Sequence, residues 1–359
     1  MSKRFAELEE QGKVRDEQLQ KLEKSMANSI ELMQSLVKKQ DEQKQAMLKG
    51  FDEQKQELFK NQTGLINNNA LLAQTTEKNT KKIITNLQEI EKKAIRIQQQ
   101  PRLSYFVLNI LDHCNLKCKG CDHFAAIAEE RFVSLVSIQN DLKRMAFITN
   151  GAVTRIGIMG GEPLLHPDLI EILHTAREAF PKSLLQLVTN GILLLSQSNL
   201  FWNVCRENEI IIVVTKYPIN LDHDRMMETA KANKVKFQFY GNSGIVTKTS
   251  YKMPMDVDGM QNAKLSFWNC YHVNTCPLVM EGKLYPCTII PNSIHFNQKF
   301  DVHLDTEEGD YLDIYEAYKQ LDLLSYLSTP KPFCRYCKTN ERTYGHIWER
   351  SKQEISEWM

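Results

Sequence analysis

The run Cys114-Asn-Leu-Lys-Cys118-Lys-Gly-Cys121 brings three thiols close together along the chain and offers no fourth. Thiolates are the ligands that iron–sulfur clusters select, and three of them leave one iron of a four-iron cluster without a protein ligand. A structural zinc site would want four closed ligands and usually pairs its cysteines as C-x2-C. The spacing C-x3-C-x2-C therefore indicates an iron–sulfur site. A zinc knuckle or three unrelated buried cysteines are the alternatives.

Two short apolar runs stand before and after this triplet. Phe106-Val-Leu-Asn-Ile-Leu111 precedes the cysteines, and Arg155-Ile-Gly-Ile-Met159 follows and ends in Gly160-Gly-Glu-Pro163. Runs of this length and composition predict buried strands. Two glycines after a strand let the backbone approach a ligand closely, and Glu162 adds a fixed carboxylate. The second strand is therefore expected to end at the same binding site as the cysteines.

With both motifs in this order, the chain resembles the radical S-adenosylmethionine (SAM) superfamily. That family carries C-x3-C-x2-C after its first strand and a G-G-E-P-like segment after its second. The resemblance implies a 4Fe–4S cluster held by Cys114, Cys118 and Cys121, with SAM chelated by the open iron. It also implies a SAM-dependent iron–sulfur oxidoreductase, which cleaves SAM reductively to a 5′-deoxyadenosyl radical that abstracts hydrogen from a substrate.

The resemblance also assigns residues to SAM binding. The family's G-G-E-P segment contacts the methionyl amino group, and the matching residues here are Gly160, Gly161, Glu162 and Pro163. Asn190 and Thr215 end the predicted third and fourth strands and are candidates for bonds to the ribose or the methionyl carboxylate. Asn190-Gly191 is also a common turn pair, which is the structural alternative.

Further side chains border these motifs. The family often has an aromatic residue just before the third cysteine, where this chain has Gly120, so Phe124 is the candidate for contact with adenine. Three histidines lie nearby, and each is either a polar loop residue or a group that tunes the cluster or donates a proton: His113, His123 and His166. The sequence names no catalytic acid or base.

Residues 1–100 differ in kind from the rest of the chain. They contain no proline, and apolar residues recur every seven positions from Ile30 through Val37 to Leu72, except at Lys44, with a phase slip after residues 75–80. This pattern predicts an α-helical coiled coil over 1–100, ended by Pro101. It would form a homo-oligomer, dock a partner or act as a spacer.

Beyond residue 101, apolar runs alternate with amphipathic stretches. The predicted strands are Tyr105–Ile110, Thr154–Met159, Leu184–Thr189, Ile210–Thr215 and Lys236–Phe239, and the predicted helices include Leu135–Ile148, Asp168–Ala179 and His223–Ala232. Such alternation predicts an α/β fold with parallel strands covered by helices, and an open nucleotide-binding sheet would also fit. The resemblance selects a partial (β/α)6 TIM-like barrel over 101–265, with ligands at the carboxyl ends of the strands.

The segment 266–359 carries a second set of cysteines. Cys276–Cys287 predicts a hairpin with Gly282 at its turn. Zinc is the physical default for a closed four-cysteine site. The pattern also resembles the SPASM extension of radical enzymes in its shortened twitch form. That resemblance implies one auxiliary 4Fe–4S cluster held by Cys276, Cys287, Cys334 and Cys337. Cys270 is a competing candidate for one of these ligand positions.

Composition narrows the setting and the partners. A formal net charge of +1 gives no bulk attraction to nucleic acid. No apolar run reaches the roughly 18 residues of a membrane span, and the first residues lack the apolar core of a signal peptide. Nine cysteines in such a chain favour metal ligation in a reducing cytoplasm over disulfides. An electron donor such as flavodoxin or ferredoxin is the implied partner.

Three functions fit these features. Thr215-Lys-Tyr-Pro218, taken with the two motifs, resembles radical proteins associated with surface glycan biosynthesis, which implies oxidation or epimerisation of a sugar or glycan precursor. A peptide or protein maturase is the second, although it would usually want a peptide-recognition module before the barrel. A coiled-coil scaffold or redox-sensing protein is the third, and the intact motifs argue against it.

Overall fold

The structure is a computed structural model that describes residues 77–90, 102–240 and 248–359, with single positions at 21, 35, 39, 40, 44, 45, 47, 49 and 50. Residues 77–90 and these single positions are helical. The rest of the predicted coiled coil lies outside the described residues. The chain divides into two units, Met1–Thr85 and Asn86–Met359. Within the described ranges, no helix combines the length and apolarity that crossing a membrane requires.

Five parallel strands form one half of the main sheet in the second unit. Their residues are rich in Val, Ile, Leu and Phe, which suit strands buried between helices. They are β1 (Tyr105–Asn109), β2 (Arg155–Met159), β3 (Leu184–Thr189), β4 (Ile211–Val214) and β5 (Lys236–Phe239). Each pairs in parallel with the next one in sequence. The observed bounds agree with the predicted strands to within one residue.

The sheet continues on the other side of β1. There β7 (Leu278–Met280) runs parallel to β1, and β8 (Lys283–Tyr285) returns antiparallel and pairs with β9 (Leu312–Asp313). Glu281 and Gly282 make the turn with φ of 49° and 77°, which confirms the predicted hairpin. The eight strands lie in the order β5-β4-β3-β2-β1-β7-β8-β9, so the C-terminal strands share the sheet of the N-terminal ones.

The result is a mixed α/β fold with a mostly parallel sheet, consistent with a partial barrel. The sixth parallel strand is β7, which lies beside β1, whereas a barrel of six successive units would place its sixth strand beside β5. The strand that follows β5 is β6 (Thr249–Lys252), and it pairs antiparallel with β10 (Thr343–Ile347) in a separate two-stranded ribbon.

Helices connect successive parallel strands and cover one face of the sheet. They are α1 (Leu135–Thr149), α2 (Leu169–Ala179), α3 (Asn199–Glu207) and α4 (His223–Ala232). Ser134, Ser198 and Asp222 cap three of them by accepting hydrogen bonds from backbone N–H groups of the first turn. The second half of the unit adds α5 (Ala263–Asn269), α6 (Ile289–Phe300) and α7 (Gln320–Ser328).

Alternate strand residues form the core between the sheet and these helices. Ile156 and Ile158 of β2 are fully buried, as are Leu185 and Leu187 of β3. Each such side chain contributes about 1.5–3 kcal/mol when it leaves water. Cys205 of α3 is also fully buried and packs as a small apolar residue. The intervening strand residues, among them Met159 and Val188, face the opposite side, where the candidate site lies.

Candidate active site

The two sequence motifs are joined by backbone hydrogen bonds that extend the pairing of β1 with β2. Gly161 N–H donates to the Leu111 carbonyl at 3.0 Å, and Glu162 N–H donates to the His113 carbonyl at 3.1 Å. The G-G-E-P segment therefore runs beside the start of the cysteine loop. This places the carboxyl ends of β1 and β2 at one point of the molecule.

Glycine is required at both positions by the closeness of these two segments. A Cβ atom on Gly160 would stand 2.2 Å from the Leu111 carbonyl oxygen, and one on Gly161 would stand 1.8 Å from that of His113. Backbone atoms cannot yield as the end of a side chain can. The close approach that the sequence analysis assigned to a ligand is thus first an approach of backbone to backbone. Both glycines also border the cavity described next.

A cavity of about 280 Å³ opens at the carboxyl ends of the strands. Seven of the residues predicted to bind the cluster or SAM border it: Cys114, Cys118, Cys121, Gly160, Gly161, Asn190 and Thr215. No three Cys, His, Asp or Glu side chains of the described ranges are close enough to share a single metal ion. Each cysteine of a 4Fe–4S cluster binds a different iron, so three thiols spread around one cavity suit a cluster.

Burial disfavours ionisation of the three thiols that border this cavity. Burial raises the pKa of Cys114 to about 11 and also raises the pKa of Cys118 and Cys121. The Trp348 indole and the Tyr217 hydroxyl lie near the Cys118 sulfur and oppose the upward shift of its pKa. Because only thiolates bind metal, loading a cluster here releases protons.

Glu162 lies behind the cavity wall and joins three elements. Its carboxylate accepts hydrogen bonds from the Thr189 hydroxyl at 2.6 Å, Asn190 N–H at 2.8 Å and Leu164 N–H at 3.1 Å. Burial raises its pKa to about 7, and the three donors oppose this. Glu162 thus fixes the end of β3 against the G-G-E-P segment. Pro163 is buried beside it and begins a short 3-10 turn.

Asn190 combines the turn role and the site role. Its side-chain oxygen accepts from Ile192 N–H at 2.9 Å, which is turn chemistry. Its amide group donates to the Asn115 side chain at 2.7 Å and lies 3.6 Å from the Cys114 sulfur. Asn190 therefore supports the cysteine loop as well as bordering the cavity.

Asp112 anchors the start of the cysteine loop through its buried carboxylate. It is buried and accepts from Arg131 at 2.6 Å, and its carboxylate lies 3.1 Å from His295. Although burial opposes ionisation, these two partners hold the pKa of Asp112 below its usual range. Arg131 also pairs with Glu281 in the β7–β8 turn at 2.5 Å, so the loop is tied to the hairpin.

Phe124 does not take the position predicted for it. It is buried and packs against Phe296 and Trp358, whose indole N–H donates to the Cys121 carbonyl at 2.9 Å. Phe124 is not among the residues that border the cavity, so the structure gives no support to the expected contact with adenine. Tyr217 and Trp348, with ring centres 5.6 Å apart, are the aromatic pair beside Cys118.

The three histidines near the motifs differ in position. His166 is buried and bound to Val133 and Asp168, and His113 accepts from Arg131 N–H, so both serve the packing of loops. His123 borders the cavity, and its Nδ1 atom has no hydrogen-bond partner among the described residues.

Several cavity residues were missed by the sequence analysis. Asp122 accepts hydrogen bonds from Thr288 at 3.1 Å and from Tyr251. Burial opposes its ionisation, but His123, His272 and the Tyr251 hydroxyl bring its pKa down to about 2. Its position directly after Cys121 was the one signal that could have identified it. The other partners come from distant segments.

A second group of thiols lies elsewhere in the fold. Cys270 ends α5, Cys287 precedes α6, and Cys334 and Cys337 lie on a short turn over Pro332–Tyr336 and directly after it. All four are buried. Burial raises the pKa of Cys287 to about 12 and the pKa values of Cys334 and Cys337 well above the usual range for a thiol. The other thiols of the group add to each of these shifts.

Cys276 lies apart from that group and borders the first cavity. Its sulfur is hydrogen-bonded to the Tyr105 hydroxyl on β1, with Asp122 and Arg155 nearby, and burial raises its pKa to about 11. The structure thus brings together three of the four predicted auxiliary ligands and adds Cys270 to them.

Residues 108–208 match the family model described as the Radical SAM superfamily. The matched range begins within β1, ends just after α3 and includes both motifs. The chain therefore carries a radical SAM superfamily domain, as its motifs predict. This family implies a 4Fe–4S cluster and SAM as cofactors, and the residues around the first cavity fit both.

Curated relatives match over the same part of the chain. GTP 3′,8-cyclase 1 of Mycobacterium tuberculosis is 35% identical over 94 residues, which is 24% of this chain and 25% of that protein. GTP 3′,8-cyclase of Microcystis aeruginosa is 33% identical over 96 residues, 26% and 29% of the two chains. The match thus spans about a quarter of the length of these relatives.

Solved structures give weaker likenesses. BtrN in complex with AdoMet and 2-DOIA is 18% identical, with a TM-score of 0.40 over 66% of this chain and 93% of that one. Streptococcus suis SuiB bound to precursor peptide SuiA is also 18% identical, with a TM-score of 0.33 over 43% and 36%.

Proposed function

We propose that this chain is a radical SAM enzyme in which Cys114, Cys118 and Cys121 hold a 4Fe–4S cluster and the first cavity receives SAM. The observation that supports this most directly is that the three thiols border one cavity together with Gly160, Gly161, Asn190 and Thr215. When bound, the cluster and SAM supply one-electron cleavage of the sulfonium and abstraction of a hydrogen atom.

The contribution of the protein is to bind, orient and exclude water. Asn190 and Thr215 offer an amide and a hydroxyl for polar groups of SAM at the ends of β3 and β4. Tyr217 and Trp348 stand edge to face beside Cys118, and their aromatic rings are suited to packing against a purine ring. Glu162 contributes indirectly, by holding the segments of the cavity wall in place. Its carboxylate oxygens accept hydrogen bonds from the backbone and from Thr189.

We further propose that the substrate is a sugar or glycan precursor that undergoes oxidation or epimerisation. The cavity wall also carries Tyr240 at the carboxyl end of β5, Tyr251 and Tyr271, together with the hydroxyl of Ser250 and the ionised Asp122. Aromatic rings pack against the apolar faces of a sugar ring, and carboxylates and hydroxyls bind its hydroxyl groups. These features support a small polyhydroxylated substrate.

The second group of thiols supports an auxiliary 4Fe–4S cluster held by Cys270, Cys287, Cys334 and Cys337. Four buried thiols provide a closed ligand set, which suits electron transfer and leaves no position for substrate. An electron donor of the flavodoxin or ferredoxin type would serve both centres. In this proposal Cys276 is not a ligand of the auxiliary cluster and instead forms part of the wall of the first cavity.

The test is anaerobic reconstitution with iron and sulfide, followed by SAM and dithionite. We expect 5′-deoxyadenosine from the wild type and none from the variant Cys114→Ala/Cys118→Ala/Cys121→Ala, with Cys205→Ala as the matched control that keeps activity. Deuterium in 5′-deoxyadenosine from a labelled sugar, and not from labelled peptides, would support the substrate class. Transfer from peptides would identify a maturase. Absence of 5′-deoxyadenosine in all reactions would contradict the enzymatic proposal and support a role as a scaffold or redox sensor.

A further inference from the structure

A second cavity, of about 230 Å³, adjoins the first at the amino ends of β1 and β2. Arg102, Ser104, Tyr105 and Arg155 border it, and Thr275 borders both cavities. The two cavities are therefore neighbours on the interior side of the sheet. A ligand longer than one sugar ring could extend from the first into the second.

Tyr105 and Arg155 line the second cavity and lie next to each other. They stand opposite each other in the β1–β2 register, and the Arg155 guanidinium carbon lies 4.2 Å from the centre of the Tyr105 ring. A Cβ atom on Gly157 would stand 2.7 Å from the Tyr105 hydroxyl, so the absence of a side chain there leaves room for the tyrosine. The hydroxyl reaches Cys276 in the first cavity.

The charge of the second cavity is positive. Arg102 and Arg155 line it, and no Asp or Glu of the described ranges does so. Within the part of the chain that the structure describes, neither arginine forms an ion pair. Arg155 is held by stacking on a ring, which leaves its five N–H donors directed to no carboxylate. The planar guanidinium fork matches the oxygens of a phosphate, and the Ser104 hydroxyl lies in the same lining.

We propose that the second cavity binds a phosphoryl group of the substrate, so that the substrate is a phosphorylated or nucleotide-linked sugar lying across both cavities. The sugar ring would occupy the first cavity near the three cysteines, and the phosphate would meet Arg102 and Arg155. This inference rests on the proposed function for the position of the sugar. The phosphate site itself can be tested without any turnover.

The experiment is calorimetric titration of the reconstituted full-length protein at low salt with glucose, glucose 1-phosphate and inorganic pyrophosphate. We expect both phosphate probes to bind and glucose to bind more weakly. Arg155→Gln and Arg102→Gln should each weaken phosphate binding about tenfold to a hundredfold, because hydrogen bonds to charged groups are worth that much. Arg155→Lys should fall between, since it keeps the charge and loses the fork.

Arg206→Gln is the matched control, because Arg206 is an exposed arginine of α3 whose one ion pair among the described residues is with Glu207 at 3.5 Å. Tighter binding of pyrophosphate than of glucose 1-phosphate would assign a nucleotide-linked sugar, and the reverse order a sugar monophosphate. The proposal is overturned if neither phosphate probe binds, if glucose binds as tightly as glucose 1-phosphate, or if Arg206→Gln weakens binding as much as Arg155→Gln. Arginine-dependent phosphate binding without any 5′-deoxyadenosine formation would remove the proposed function and leave this site in place.

Discussion

Gly161 shows how one missing side chain allows the two motifs to meet. In Gly161→Ala the new Cβ atom would stand 1.8 Å from the His113 carbonyl oxygen, so the G-G-E-P segment must separate from the cysteine loop. We expect a loss of at least about 2 kcal/mol in the free energy of unfolding, as for other overpacked sites. Urea unfolding measures this. Gly50→Ala is the control, because its Cβ atom would meet nothing within 4 Å. Equal stability of Gly161→Ala and wild type would contradict the close approach.

Glu162 gives a prediction about pH. In Glu162→Gln one amide N–H must face a backbone N–H in either orientation, because Leu164 donates to one carboxylate oxygen and Asn190 to the other. Such an unmade buried hydrogen bond costs about 1–3 kcal/mol, so the variant should be less stable. Unfolding is measured with Glu171→Gln as an exposed control.

The sign of the pH effect follows from the raised pKa of Glu162. Burial raises this pKa from 4.5 to about 7, so the folded state holds the proton more tightly than the unfolded state. The stabilisation is complete below pH 4.5 and is lost as the pH rises through about 7. The difference in unfolding free energy between wild type and Glu162→Gln should therefore shrink over that window. A difference that grows with pH would show that the three donors outweigh burial.

Cys276 and Cys287 lie at the two ends of the β7–β8 hairpin, and the structure places them in different groups of thiols. We expect Cys270→Ala to lose about four of roughly eight irons after reconstitution, and Cys276→Ala to keep them, because each cluster holds four irons. Iron and sulfide analysis measures this, and thermal unfolding of both variants checks that they fold. Loss of iron from Cys276→Ala with full loading of Cys270→Ala would return the auxiliary site to the set that the spacing predicted.

At the scale of elements, the pattern of apolar and polar residues predicted the bounds of individual strands but not how distant strands pair. The strands from Tyr105 to Phe239 were placed to within one residue because each is a short apolar run bounded by polar segments. The ribbon of β6 and β10 was missed, since Thr249–Lys252 and Thr343–Ile347 are mostly polar and show no buried face. The position of β7 beside β1 depends on pairing across a long stretch of sequence, which no local pattern reveals.

At the scale of the whole molecule, the motifs predicted the SAM side of the site and not the substrate side. Cys114 to Cys121 and Gly160 to Gly161 are short signatures, and they meet at one cavity. Asp122, Tyr251 and His272 come from three separate segments and meet only in the folded chain. The coiled coil predicted for residues 1–100 stays a prediction where it falls outside the described residues.

The division of the chain at residue 85 gives a prediction for a truncated protein. A chain beginning at Asn86 keeps the whole sheet and both groups of cysteines. We therefore expect it to bind the same amount of iron as the full chain and to form 5′-deoxyadenosine from SAM at a rate within about twofold of it. A twofold change in rate corresponds to about 0.4 kcal/mol in the activation barrier. Loss of iron on truncation would show that residues 1–85 contribute to the site.

The central claim is that Cys114, Cys118 and Cys121 hold a cluster with one iron open to SAM. Electron paramagnetic resonance of the reduced, anaerobic protein with and without SAM tests it most directly. We expect a cluster signal that is absent from the variant Cys114→Ala/Cys118→Ala/Cys121→Ala and that shifts in the wild type when SAM is added. A wild-type signal that is unchanged by saturating SAM, or one that persists in the triple variant with the same response, would contradict it.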